Sequence, residues 1–184
     1  MKIQGSVALV TGANRGIGKA LVTALVDAGA SKVYAAARDT SSIVGSDKVI
    51  PLTLDVTDAA SVAAAAEKAK DVTLLINNAG VLEGGAIAEA DQPTVDRHFA
   101  VTQSIRADLG KKGIAVHGVF PGAVDTDMLA GVEMDKTKPE DVANAIVEGV
   151  EAGEEDIFPD PMSTAVYGQW KVDHKAVEHQ FSAY

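Results

Sequence analysis

A chain of 184 residues, 47% of them apolar, can build one domain with a proper core and is too apolar for disorder. Its net charge of −10 argues against a nucleic-acid binder, which needs a basic face to displace counterions. The lack of cysteine excludes disulfides, thiolate metal sites and a cysteine nucleophile, and no apolar run reaches the roughly 18 residues of a membrane span.

Strand and helix patterns alternate along the chain. Met1–Ser6 leads straight into Val7–Val10, which leaves no space for a signal peptide, and a cytoplasmic protein is the expectation. Val7–Val10 is a short apolar run ending at a glycine turn, as a buried parallel strand does. Ile17, Ala20, Leu21, Ala24, Leu25 and Ala28 then recur at three- and four-residue spacing, one helix face closed by Gly29. Lys32–Ala37 reads as a second strand. Val49–Leu54 reads as a third, with a proline that an edge strand tolerates. Thr57 or Asp58 caps a helix over Ser61–Lys70. Val72–Ile76 is a fourth strand, Pro93–Leu109 a helix, Ile114–Phe120 a strand and Lys138–Ala152 a helix with proline in its first turn. Glu155–Phe158 is a last short strand, and Met162–Phe181 a polar helix or tail. Strands alternating with crossover helices predict an α/β fold, a parallel sheet with helices on both faces, over 1–184 as a single domain.

Gly12, Gly16 and Gly18 lie between the first strand and its helix as G-x-x-x-G-x-G. Glycines there let the backbone approach a pyrophosphate, and the helix start offers free amides to its charge. Thr11 and the strand–turn–helix setting favour a nucleotide site over a plain packing turn. Arg38 follows the second strand, where a dinucleotide fold faces the adenosine ribose; arginine there suits a 2′-phosphate. Arg15 can reach the same phosphate from inside the turn. Two cations at those places favour NADP(H) over NAD(H), with Asp39 as a carboxylate that partly neutralises Arg38.

Other candidates are weaker. Tyr167-Gly-Gln-Trp-Lys171 has a Tyr-x-x-x-Lys spacing but lies in the polar C-terminal segment. His98, His117, His174 and His179 make no metal spacing, so no metal site is expected. Ser104 has no visible base, and the Glu151–Asp156 acidic cluster reads as a solvated loop.

Thr11-Gly-Ala-Asn-Arg-Gly-Ile-Gly18, Leu54-Asp-Val-Thr57, Asn77-Asn-Ala-Gly80 and Pro121-Gly-Ala-Val-Asp-Thr126 together resemble the short-chain dehydrogenase/reductase family over nearly the whole chain. The resemblance implies a Rossmann-like, doubly wound parallel sheet. It implies cofactor contacts at Gly12, Asn14, Arg15, Gly16, Ile17 and Gly18. Asp55 would bind the adenine amino group with Val56 beside it. Asn77 would brace the central strands, and the Asn78, Ala79 and Gly80 backbone would pass close to the cofactor. Pro121 and Gly122 would line the nicotinamide, and Thr126 would hold its carboxamide. The implied reaction is hydride transfer between NADP(H) and a small-molecule carbonyl or alcohol, with tyrosine as the proton donor, a lysine tuning it, and serine and asparagine in support.

Those four residues belong between Gly80 and Pro121. That interval holds no Tyr-x-x-x-Lys, so no catalytic residue can be named. Asp96–Val101 resembles the start of one family helix and Thr102–Leu109 the end of the next. One βα unit is therefore missing at Val101–Thr102, and the sheet is expected to be one strand short. Fusing the two helices leaves Val95, His98, Phe99, Thr102, Ile105, Ala107 and Leu109 as the apolar face, and the following strand can slide into the vacated place. Three readings follow: an NADP(H)-dependent oxidoreductase whose natural chain has the segment, a catalytically inactive NADP(H)-binding module, or a structural remnant. In the family the two affected helices commonly form a subunit interface, which implies a homo-oligomer, dimer or tetramer. No nucleic-acid or membrane partner is expected.

Overall fold

The computed structural model describes residues 1–80 and 102–181, and side chains through Val177. In chain order the elements are β1 (Val7–Thr11), α1 (Gly16–Asp27), β2 (Lys32–Ala37), β3 (Val49–Thr53), α2 (Ala59–Lys68) and β4 (Leu74–Ile76). Then come a helical stretch α3 (102–110), β5 (Gly118–Val119), α4 (Pro139–Ala152), β6 (Asp156–Ile157), α5 (Pro161–Val172) and α6 (His174–Phe181). The first four strands form one parallel sheet in the order β3-β2-β1-β4. The edge position of β3 accounts for Pro51, whose missing N–H weakens an edge least.

Strand periodicity distributes the core to both faces. Ala8, Val10, Val33 and Ala35 point to one side, where Leu21, Ala24 and Leu25 of α1 meet Val142, Ala143, Ile146 and Val150 of α4. Leu9, Tyr34 and Ala36 point to the other, against Leu52, Leu54, Ala65 and Ala69. Helices on both faces of a parallel sheet make this the doubly wound α/β fold that alternation predicts. Burying Leu21 and Leu25 contributes about 1.5–3 kcal/mol each.

Helix ends follow local chemistry. α1 stops because Gly29 takes φ +90, and the Gly29 and Ala30 amides return to Val26 and Leu25 carbonyls. α2 starts two residues before the expected Ser61. Asp58 is its cap, accepting from the Ala60 amide at 3.0 Å, whereas Thr57 is engaged with Asp55. The C-terminal segment is two helices, broken at Asp173. α5 opens with a capping box in which Asp160 and Ser163 satisfy each other.

Two sequence expectations for the second half are corrected. The strand expected over Ile114–Phe120 is paired only at Gly118–Val119, and Ile114 is exposed. Nor does it slide beside β4: among the described residues it pairs with β6 in a separate two-stranded parallel sheet. It is held there by Gly118 and Phe120 amides donating to Glu155 and Ile157 carbonyls, while Ile157 is fixed in the α1–α4 core. Beside β1, Leu75 registers with Leu9 but is 57% exposed, so the face of β4 on the α2 side is uncovered among the described residues.

At the strand-start end of the sheet, Lys32, Tyr34 and Asp71 form a small polar cluster. Lys32 Nζ lies 2.6 Å from Asp71 Oδ2, and the Tyr34 hydroxyl donates to Asp71 Oδ1 at 3.0 Å. The Lys32 hydrogen bond holds Asp71 below the ordinary carboxylate value, and the Asp71 hydrogen bond raises Lys32 above its own. A carboxyl depressed on folding adds stability above its unfolded value, near 3.8, which is lost as pH falls through the lower folded value. The raised Lys32 adds stability below 10.5 that is lost as pH rises through its folded value. Asp71→Asn is therefore expected to lower the urea midpoint at neutral pH and to flatten both the acid and the alkaline decline. A variant curve running parallel to the original through both arms contradicts this.

Candidate functional site

The strand-end edge of the sheet collects the glycine turn, the end of β4 and the loop after β5. Gly12 (φ +67) and Gly16 (φ +51) adopt left-handed backbone that lets β1 turn at once into α1. Gly18 sits where a Cβ would collide with the Gly12 carbonyl and come within 2.5 Å of Asn78 Nδ2. Only glycine lets α1 pack this closely on the turn.

Thr11 ties this turn to the end of β4. Its buried Oγ1 accepts from the Asn78 and Ala79 amides at 3.0 and 2.9 Å and donates to the Ile76 carbonyl at 3.4 Å. Asn78 Nδ2 donates to the Thr11 carbonyl at 3.0 Å and approaches the Gly12 carbonyl at 3.4 Å. The side-chain brace expected from Asn77 is thus supplied by Asn78. Strand alternation explains the exchange: Asn77 is exposed, and Asn78 turns inward.

The third segment reaches the same place from the other half of the chain. A Cβ on Gly16 would lie 3.1 Å from Thr126 Cγ2, so the loop after β5 rests directly on the glycine turn. Thr126 Oγ1 donates to the Val124 carbonyl at 3.4 Å. Gly122 is fixed by its amide, which donates to Asp160 Oδ2 at 2.7 Å, and a Cβ there would meet Asp160 and Met162. Asp160 is 4% exposed, and its carboxylate also accepts from the Ser163 amide and hydroxyl, each at 2.9 Å. Pro121 beside it is exposed.

The charged residues sit around this floor. Arg38 is exposed after β2, and Asp55 lies two residues beyond β3. Asp55 Oδ1 accepts from the Thr57 hydroxyl at 2.7 Å and the Thr57 amide at 2.9 Å; these bonds, with a smaller pull from Arg38, hold it below the ordinary carboxylate value. Asp39 Oδ1 accepts from the Ser41 amide at 2.8 Å, and that bond depresses its pKa; Arg38 is not among the causes. Arg15 lies on the glycine turn and is exposed. Its guanidinium faces Asp127 at 3.6 Å, both side chains being largely exposed. Asn14 receives the Ser42 hydroxyl on its carbonyl at 3.5 Å, Ile17 is half-buried against the core, and Val56 and Gly80 are exposed.

This arrangement fits a dinucleotide. The Arg15 side chain makes no cap bond to α1, a twelve-residue helix, and the amides of such a helix start suit a pyrophosphate. Residues 6–103, more than half of the chain, match the short chain dehydrogenase family. The chain belongs to that family. A short chain dehydrogenase from Burkholderia cenocepacia J2315, solved in complex with NADP, superposes with a TM-score of 0.87 at 27% identity, covering 98% of this chain and 99% of that one. A short chain dehydrogenase/reductase from Burkholderia phymatum, in complex with NAD, shares the fold at 19% identity, with a TM-score of 0.74 over 98% of this chain and 96% of its own. Sorbitol dehydrogenase of Cereibacter sphaeroides is 36% identical over 113 residues, 56% of this chain. The chain spans only 23% to 58% of the length of three curated relatives, that enzyme included at 44%.

Within this short-chain dehydrogenase chain, the Val101–Thr102 junction and Val95, His98 and Phe99 lie outside the described residues. The described part of the expected hybrid helix is corrected. Ile105 and Ala107 are exposed, and Thr102, Arg106 and Leu109 form the inward face. Arg106 is the side chain that packs, 13% exposed, with Nε donating to the Val116 carbonyl at 2.9 Å and an amino group on Asp156 Oδ1 at 2.6 Å and the Glu155 carbonyl. The acidic cluster read as a solvated loop is therefore partly an anchor: Asp156 receives Arg106, and Glu151 accepts from the Ile3 amide. Lys171 lies over the Tyr167 ring, 4.6 Å from its centroid, and that ring stacks on Phe158 at 3.9 Å.

Proposed function

We propose that the chain is one dinucleotide-binding unit over 1–184 that holds NADP(H), and that its parent activity is hydride transfer between the nicotinamide and a small-molecule carbonyl or alcohol. The observation that carries this is the convergence of Gly12–Gly18, Asn78–Gly80 and Thr126 on one floor at the strand ends. In this reading the turn residues Gly12, Asn14, Gly16, Ile17 and Gly18 receive the pyrophosphate half, and Arg15 reaches from the turn toward the 2′-phosphate. Arg38 meets the 2′-phosphate, while Asp55 and Val56 flank the adenine. Asn78, Ala79 and Gly80 form the wall beside the ribose, and Pro121, Gly122 and Thr126 receive the nicotinamide. The bound dinucleotide would supply hydride chemistry at its nicotinamide ring. The chain's own residues hold and orient it.

A second reading is favoured by one observation: residues 81–120 contain no tyrosine. The chain then binds NADP(H) without a phenol to pass the proton. The intact mass of the natural protein separates the two. A mass near 18.9 kDa with background NADPH oxidation supports the binding module, and a mass heavier by a βα unit with turnover supports the full enzyme. A homo-oligomer is proposed on family grounds. Cytoplasmic placement rests on the cysteine-free composition, and among the described residues no helix is long and apolar enough to cross a membrane.

Arg38→Asp tests the phosphate assignment. Reversing a charge that would accept a 2′-phosphate is expected to weaken NADPH by about 10- to 100-fold and NADH by less than about threefold. Equal losses for both cofactors contradict it.

A further inference from the structure

We propose that Asp127 sets cofactor preference by competing with the 2′-phosphate for Arg15, an inference that rests on the NADP(H) reading above. Arg15 is the residue immediately before α1, on the glycine turn, and its Nη1 lies 3.6 Å from Asp127 Oδ2. Asp127 opens the short 3-10 turn Asp127–Leu129, directly after Thr126, whose methyl group rests against Gly16. The end of that turn is pinned separately, because Lys136 Nζ donates to the Leu129 carbonyl at 2.7 Å. Asp127 is therefore held over the glycine turn independently of Arg15. The side chains of Arg15 and Asp127 are 67% and 77% exposed, so the guanidinium is free to swing.

Two acceptors contend for one cation. The Asp127 carboxylate draws Arg15 toward the loop after β5. A 2′-phosphate takes it toward Arg38, which follows β2. Each NADP(H) that binds must break the Asp127 pair, whereas NAD(H) need not. Asp127 thus lowers the preference for the phosphorylated cofactor, by an amount limited to the strength of an exposed pair, about two- to fivefold.

The test is a double-mutant cycle read by equilibrium titration of NADPH and of NADH at low ionic strength, on the unsubstituted protein, Asp127→Asn, Arg15→Gln and the double variant. Asp127→Asn is expected to tighten NADPH about two- to fivefold and to leave NADH unchanged, with the gain absent in the Arg15→Gln background. Asp127→Ser should repeat the result if the charge is the cause. Equal tightening of both cofactors, no change, or a gain that survives Arg15→Gln overturns the competition while leaving NADP(H) binding intact. Failure of the unsubstituted protein to bind either dinucleotide overturns the cofactor reading and this proposal with it.

Discussion

Gly18→Ala is expected to reduce folding stability by about 2–3 kcal/mol and dinucleotide affinity by about 100-fold. The new Cβ would meet backbone: the Gly12 carbonyl oxygen and, at 2.8 Å, its carbon. Flexible side chains yield to such a contact, but a carbonyl at the end of a buried strand does not. α1 must retreat from β1, and Asn78, whose Nδ2 lies 2.5 Å from the added atom, must give up its bonds to Thr11 and Gly12. Those bonds join the glycine turn to the end of β4, so the damage falls on both walls of the proposed pyrophosphate site. Gly168→Ala is the matched control. It lies inside α5 with nothing within 4 Å of an added Cβ, and alanine there should stabilise slightly, by about 0.5–1 kcal/mol. Urea unfolding and NADPH titration of both variants decide the matter. A Gly18→Ala protein with the original midpoint and affinity shows that the close approach of helix to turn is not needed.

Arg106→Ala is expected to reduce stability by about 2–4 kcal/mol. The guanidinium is on the inward face of α3, spread over the Val116 and Glu155 carbonyls and the Asp156 carboxylate. Removing it takes that donor from the Val116 carbonyl and the Asp156 carboxylate, while the Glu155 carbonyl keeps the Gly118 amide. Asp156 keeps 28% of its side chain in solvent, and water can reach it, which holds the loss below that of a fully buried pair. Arg106→Lys should recover part of the loss, since an ammonium keeps the charge and cannot reproduce the fork. Lys111→Ala removes an exposed pair with Asp108 at 3.4 Å and should stay within about 0.5 kcal/mol. If Arg106→Ala unfolds at the same urea concentration as Lys111→Ala, α3 is not fastened to β6 in the way described.

The first half of the fold was readable because its signals are local. A buried parallel strand is an apolar run, α1 repeats at three and four residues, and the glycine spacing sits where strand meets helix. What escaped depends on distant partners. Arg106 reads as one more solvated helix residue until Glu155 and Asp156, about fifty positions later, are seen beneath it. β5 is short because its partner β6 offers two residues, which no pattern in Ile114–Phe120 reveals. Asn77 and Asn78 are alike in sequence, and only the parity of β4 decides which one turns inward. Asp160 was within reach. Asp160-Pro-Met-Ser163 carries a cap residue, a proline at the first helical position and a second capping group three residues on. Its tie to Gly122 was not, since nothing local joins residues 38 positions apart. The Tyr167–Lys171 spacing shows the converse hazard. It matches a catalytic pattern in letters, and in the fold it is a ring stacked on Phe158 with a lysine over it.

We propose that these residues form an NADP(H) cradle. Titrating the 184-residue chain with NADPH and with NADH, followed by the change in nicotinamide fluorescence, tests it most directly. Saturable one-to-one binding of NADPH, tighter than NADH and weakened by Arg38→Asp, is the result that such a cradle requires. No saturable binding of either dinucleotide up to about 1 mM contradicts it.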